Sequence, residues 1–181
     1  MTLGTSSRLS DSPSVWMATI LVIIYATTGI LTRNLLEPDL GVVYPFLQVN
    51  AEVWHGAIWM LFTSMFLHAN LLHLGGNVFF LLLFGTALEE QVSVSRWAVT
   101  YFASGLVGNI AFLFLGGDAI GVGASGAIWG LLAAAGGLRG LVGMVFFGGL
   151  DIFAGGGFLA HAGGLVAGLA LRFSWLRRAR S

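Results

Sequence analysis

The chain of 181 residues has no cysteine, no lysine, only three prolines and few charges of either sign. Without cysteine there is no disulfide framework, no zinc knuckle and no thiol nucleophile. Charged residues make up 9% of the chain, against about 25% in a soluble domain, too few to cover a surface in water. A net charge of zero removes the electrostatic footprint of a nucleic-acid binder. What fills the chain is apolar. Hydrophobic residues are 57%, and with the 27 glycines the apolar share reaches about 72%, where soluble domains sit near 45–50%. Disorder and coiled coil fall on the same numbers. The partner of such a chain is a lipid bilayer.

Stretches free of Asp, Glu, Lys and Arg outline the crossings: Ser12–Thr32, Val53–Leu88, Trp97–Gly117, Ala119–Leu138, Gly140–Leu150 and Ile152–Leu171. About 20 residues suffice for a helical span. The second stretch is too long for one span. Its front half holds Trp54, Trp59, Met60, Phe62 and Phe66, an interfacial composition, and its back half from about Asn70 reads as the span. The fifth reaches spanning length only by continuing through Asp151 to about Phe153. The expected fold is an all-α polytopic bundle of six transmembrane helices. Residues 1–13 form a short leading segment, 14–176 the helical domain and 177–181 a basic tail. The first loop, about 33–67, is expected to be structured and half embedded, since loops of that length without structure of their own are uncommon. No cleavable signal peptide is expected: the first apolar run is too long for an h-region.

With six spans both termini share a side. Arg8, Arg96, Arg139, Arg172, Arg177, Arg178 and Arg180 lie on it, while Arg33 stands alone on the other with Glu37, Asp39, Glu52 and Asp118. The bias predicts cytoplasmic termini, and the expected location is a cell membrane, multi-pass, of prokaryotic type. Helices two, four and six then start at the external face.

Ionisable and amide groups inside a span are functional by default. His68, His73 and Asn77 open helix two, with His73 and Asn77 four apart on one face. A polar ladder holding helices together explains them equally well. A metal site is weaker, because no carboxylate or third histidine stands at ligand spacing. Ser125 lies in Gly121-Val-Gly123-Ala-Ser125-Gly126-Ala-Ile-Trp129-Gly130, where a loop enters helix four. Such a serine can merely bond to its own helix, yet a glycine-framed loop-to-helix junction is also how nucleophile elbows are built. His161, Gly164 and Gly168 share a face at the start of helix six. Gly164-x-x-x-Gly168 and Gly126-x-x-x-Gly130 are small-residue packing stripes. Simple packing of helix four on helix six would itself bring Ser125 and His161 to one depth.

Together these motifs place Ser, His, His and Asn at the starts of three helices at one membrane face. Ser125 needs a base, which His161 can supply. A tetrahedral oxyanion needs donors, which His73, Asn77 and the Ser125 backbone N–H can supply. No acidic residue stands near His161 in the sequence, so the expected unit is a Ser–His dyad.

With these motifs the sequence resembles the rhomboid family of intramembrane serine proteases, from about Trp59 to Gly168. His68-x4-His73-x3-Asn77, Gly123-x-Ser125-Gly126 and Ala160-His161-x2-Gly164-x3-Gly168 occur in the family's order. The resemblance implies Ser125 as nucleophile, His161 as base, and His73 and Asn77 in the oxyanion hole. It also implies His68 as a supporting polar residue and Glu89 as a structural hydrogen-bonding partner. Met60 stands where many members have arginine, which puts the usual polar anchoring of the first loop in question. Trp129 replaces a frequent tyrosine but can still stack on His161.

The expected function is an intramembrane serine endopeptidase without cofactor or metal, whose partners are the transmembrane segments of other proteins and the bilayer. The resemblance implies that substrate enters between helices two and five. The alternative is a catalytically inactive relative that binds membrane clients. A small transporter or proton channel would need charges along a path, and the interior offers only Asp151 and histidines at one face.

Overall fold

The computed structural model describes residues 11–136 and 157–178, with side chains to Trp175. The fifth expected span, Gly140–Phe153 with Asp151, lies outside the described residues. Those described are mostly helical: α1 (Pro13–Leu31), α2 (Asn50–Trp54), α3 (Met60–Thr63), α4 (Leu71–Glu89), α5 (Val94–Leu115), α6 (Ser125–Gly136) and α7 (Phe158–Arg178). Four of them, α1, α4, α5 and α7, are long and apolar enough to cross a membrane, and α6 is a shorter apolar helix.

Local chemistry sets their ends. Ser12 caps α1 by accepting from the Val15 N–H at 3.3 Å, with Pro13 in the first turn, where a missing N–H costs nothing. Asn70 caps α4 by accepting from the His73 N–H at 2.8 Å. Across the bundle Arg172 of α7 donates to the Ala134 and Ala135 carbonyls of α6.

Among the described residues the charge-free stretches and the helices differ most at α6 and α7. Helix α6 begins at Ser125, not Ala119, because Ile120–Gly121 (β2) pairs antiparallel with Gln48–Val49 (β1), matching Gln48 to Gly121 and Val49 to Ile120. Helix α7 continues past Arg172 to Arg178. Absence of charge marks where backbone can sit in hydrocarbon, not where a helix stops.

The core joins α1, α4, α5 and α6 through Leu21, Leu81, Leu88, Trp97, Tyr101 and Leu131. Large apolar side chains also face outward, Ile23, Leu72 and Phe114 among them, as expected of helices whose solvent is lipid. The first loop is folded, with 3-10 turns at Leu40–Phe46 and Ser64–Phe66 besides α2 and α3. Met60 is buried there among Leu47, Val49, Val53, Leu67 and Leu113. Apolar packing thus occupies the position where the family often has arginine.

Candidate active site

Helix α6 packs on α7 through glycine faces. A Cβ at Gly164 would overlap the Gly126 carbonyl, and one at Gly168 the Gly130 carbonyl. Backbone therefore meets backbone, the closest approach two helices can make. The contact extends to α5, where a Cβ on Gly108 would collide with the Ala160 carbonyl.

This seam delivers Ser125, first residue of α6, to His161 in the first turn of α7. The distance from His161 Nε2 to Ser125 Oγ is 2.6 Å, a good hydroxyl-to-imidazole hydrogen bond. The Trp129 ring stacks on the His161 ring at 5.4 Å between centroids and 25° between planes. It restricts the imidazole from the side of its own helix pair.

Helix α4 brings the second group. Asn77 is buried and donates through Nδ2 to the His73 carbonyl at 2.9 Å, which leaves its second N–H uncommitted. Gly123 has φ +120°, and a Cβ there would lie 2.9 Å from His73 Nε2 and 3.9 Å from Ser125 Oγ. His73 and Ser125 thus flank one small volume that only a glycine leaves open. His73, Asn77, Gly123, Ser125, Trp129 and His161 all line a single cavity of about 1100 Å³. The N-termini of α4, α6 and α7 begin around it, adding positive potential.

His68 lies in the loop ahead of α4, 3% exposed, with its ring edge-on to His73 at 5.1 Å. Burial first, and the neighbouring His73 second, push its pKa from 6.5 down to about 3, against a smaller opposing pull from the Phe66 backbone. It is a neutral packing partner of His73. Glu89 sits away from the cavity, accepting from the Ser12 hydroxyl at 2.9 Å and the Ser14 N–H at 2.8 Å, and so holds the start of α1. Among the described residues no group of three or more His, Asp or Glu could hold a metal.

Two contributors escape the motif reading. Asn70, the α4 cap, fixes the first turn on which His73 stands. Asn109 of α5 lines the cavity and ties the first loop to α5. An amide in the middle of a charge-free span was the signal that could have found Asn109.

A polytopic helical bundle with hydroxyl, imidazole and amide groups around a cavity at one end defines the class. Residues 55–139 match the Rhomboid domain family, a segment that carries His68, His73, Asn77, Glu89 and Ser125. The chain is 33% identical over 103 residues to Rhomboid-like protease 3 of Toxoplasma gondii, covering 54% of this chain and 37% of that protein. It is 43% identical over 47 residues to RHOMBOID-like protein 6, mitochondrial, of Arabidopsis thaliana, covering 26% and 15%. To Rhomboid-like protease 1 of Toxoplasma gondii it is 39% identical over 51 residues, covering 28% and 17%. In each case the match spans well under half the length of the relative. Over residues 55–139, just under half of its length, the chain is similar to the rhomboid family.

Proposed function

We propose that the protein is an intramembrane serine endopeptidase that cleaves transmembrane segments of other membrane proteins near the external face. The observation that carries this reading is the 2.6 Å contact of His161 Nε2 with Ser125 Oγ at the cavity wall. The names of the relatives, rhomboid-like proteases, point the same way. In this reading Ser125 Oγ attacks the scissile carbonyl while its proton passes to His161 Nε2. His73, Asn77 and the Ser125 backbone N–H hold the oxyanion. His161 then protonates the leaving amine, and water hydrolyses the acyl-enzyme with His161 again as base. No metal or cofactor enters the scheme. The fold that hosts it is a six-span domain over residues 14–176 with both termini cytoplasmic, so that α4, α6 and α7 open toward the outside of the membrane.

The second reading, an inactive relative that binds membrane clients, shares the family and the bundle. It is disfavoured because Ser125 and His161 stand at hydrogen-bonding distance, which a client-binding role does not require. Reconstitution with a model transmembrane substrate separates the two. Ser125→Ala and His161→Ala should each lower cleavage on the order of a thousandfold or more, and the double variant little further. Equal cleavage by wild type and Ser125→Ala removes the endopeptidase reading.

A further inference from the structure

Between α5 and the first loop lies a set of buried amides that the reaction scheme leaves unused. Gln48 and Asn50 are 1% and 0% exposed. Asn50 Nδ2 donates to the Phe112 carbonyl at 3.1 Å and the Gly117 carbonyl at 2.8 Å, tying down the end of α5. Gln48 Nε2 donates to Asn50 Oδ1 at 3.0 Å and to the Asn109 carbonyl at 2.9 Å. Asn109 Nδ2 donates in turn to the Leu61 carbonyl at 2.7 Å and to Ser64 Oγ at 3.1 Å. The last link reaches the site: the Ser64 carbonyl accepts the Gly123 N–H at 2.9 Å.

Resting on the endopeptidase reading, we propose that Asn109 is a positioning residue which, through Ser64, sets Gly123 and hence the spacing of the His73 ring and the Ser125 N–H. Gly123 lies directly against the His73 imidazole and two residues before Ser125. Its position therefore decides both sides of the oxyanion volume. The β1–β2 ladder two residues upstream is only two residues long on each strand, too short to hold that loop alone. Ser64 belongs to a single 3-10 turn and needs an anchor of its own. The apolar cluster around Met60 keeps the turn at its depth, but apolar contact is non-directional. It does not aim the Ser64 carbonyl. Two hydrogen bonds from one amide on the 22-residue α5 do, because hydrogen bonds are directional.

The test uses the full chain in liposomes with a model transmembrane substrate, comparing wild type, Ser125→Ala, Asn109→Leu and Ser64→Ala. The folded fraction of each at the assay temperature comes from thermal unfolding. Misplacing a reacting group by 1 Å costs on the order of a hundredfold. Asn109→Leu should therefore lower kcat per folded molecule by about 10- to 100-fold with KM within about twofold. Ser64→Ala, which keeps the carbonyl that holds Gly123, should lower kcat less and in the same direction. If kcat falls only in proportion to the folded fraction, or KM rises while kcat holds, the positioning role is overturned. Should Asn109→Leu fail to fold, Ser64→Ala decides by the same criteria. Failure of the endopeptidase reading looks different: wild type and Ser125→Ala then cleave equally or not at all.

Discussion

Two helix seams in this molecule, α6 on α7 and α1 on α4, are closed by opposite means. At α6–α7 glycine faces meet, and carbonyl oxygens occupy the space that a Cβ at Gly164 or Gly168 would take. At α1–α4 side chains fill the gap, with Met17, Leu21, Leu81 and Leu88 in the core and Glu89 hydrogen-bonded to the start of α1. Side-chain packing can relax around a change of shape, whereas backbone packed on backbone has nothing to move. The seam that sets the Ser125–His161 distance is thus the rigid one, and the seam remote from the cavity is the adjustable one.

Two substitutions probe that contrast. The largest effect is expected for Gly164→Val, whose side chain has no room beside the Gly126 carbonyl. It should cost about 3 kcal/mol in stability and separate Ser125 from His161, so that a serine-directed fluorophosphonate no longer labels Ser125. Labelling at the wild-type rate would break the contrast. Glu89→Ala should cost about 2 kcal/mol, because it removes two charge-assisted hydrogen bonds and strands the Ser14 N–H. Thermal unfolding reads that loss, while kcat of the folded protein stays within about twofold. A fall in kcat as large as for Gly164→Val would show that both seams set the site.

The smallest effect is a pH dependence from His68. Its folded pKa, about 3, lies below the unfolded 6.5, so the unfolded chain takes up the proton first as pH falls. The contribution to stability is full above pH 6.5 and declines as pH drops from 6.5 toward 3. At pH 5.5 the loss from this group is about 1.4 kcal/mol. Unfolding measured at pH 7.5 and 5.5 should show it in wild type and not in His68→Gln. An equal pH response in both would assign the acid sensitivity elsewhere.

Much of this was legible in the residues themselves. The apolar runs anticipate α1, α4 and α5 to within a few residues, because a bilayer demands length and lack of charge and little else. The i, i+4 spacing of His73 and Asn77 and the two glycine stripes announce which faces turn together. The first loop was harder to read. Its short helices, its 3-10 turns and the β1–β2 pairing depend on contacts such as Asn50 to Phe112 and Gly117, more than 60 residues away along the chain. Met60 illustrates the limit: its sequence position suggested a missing polar anchor, and the fold uses it as an apolar one beside an amide network. Asn109 gives no periodic signal because its partners, Leu61 and Ser64, lie outside its own helix.

By itself the sequence determined that the chain lives in a membrane, that its polar groups gather at the starts of three helices, and that two of these can pack closely. Composition and helical periodicity are local properties, and they are enough for that. Only the tertiary structure decided that Ser125 and His161 touch, that Gly123 leaves the volume between His73 and Ser125 open, and that Ser64 and Asn109 hold it there. Those are distances between segments far apart in sequence, set by how backbones approach across a seam, and no pattern within one segment encodes them.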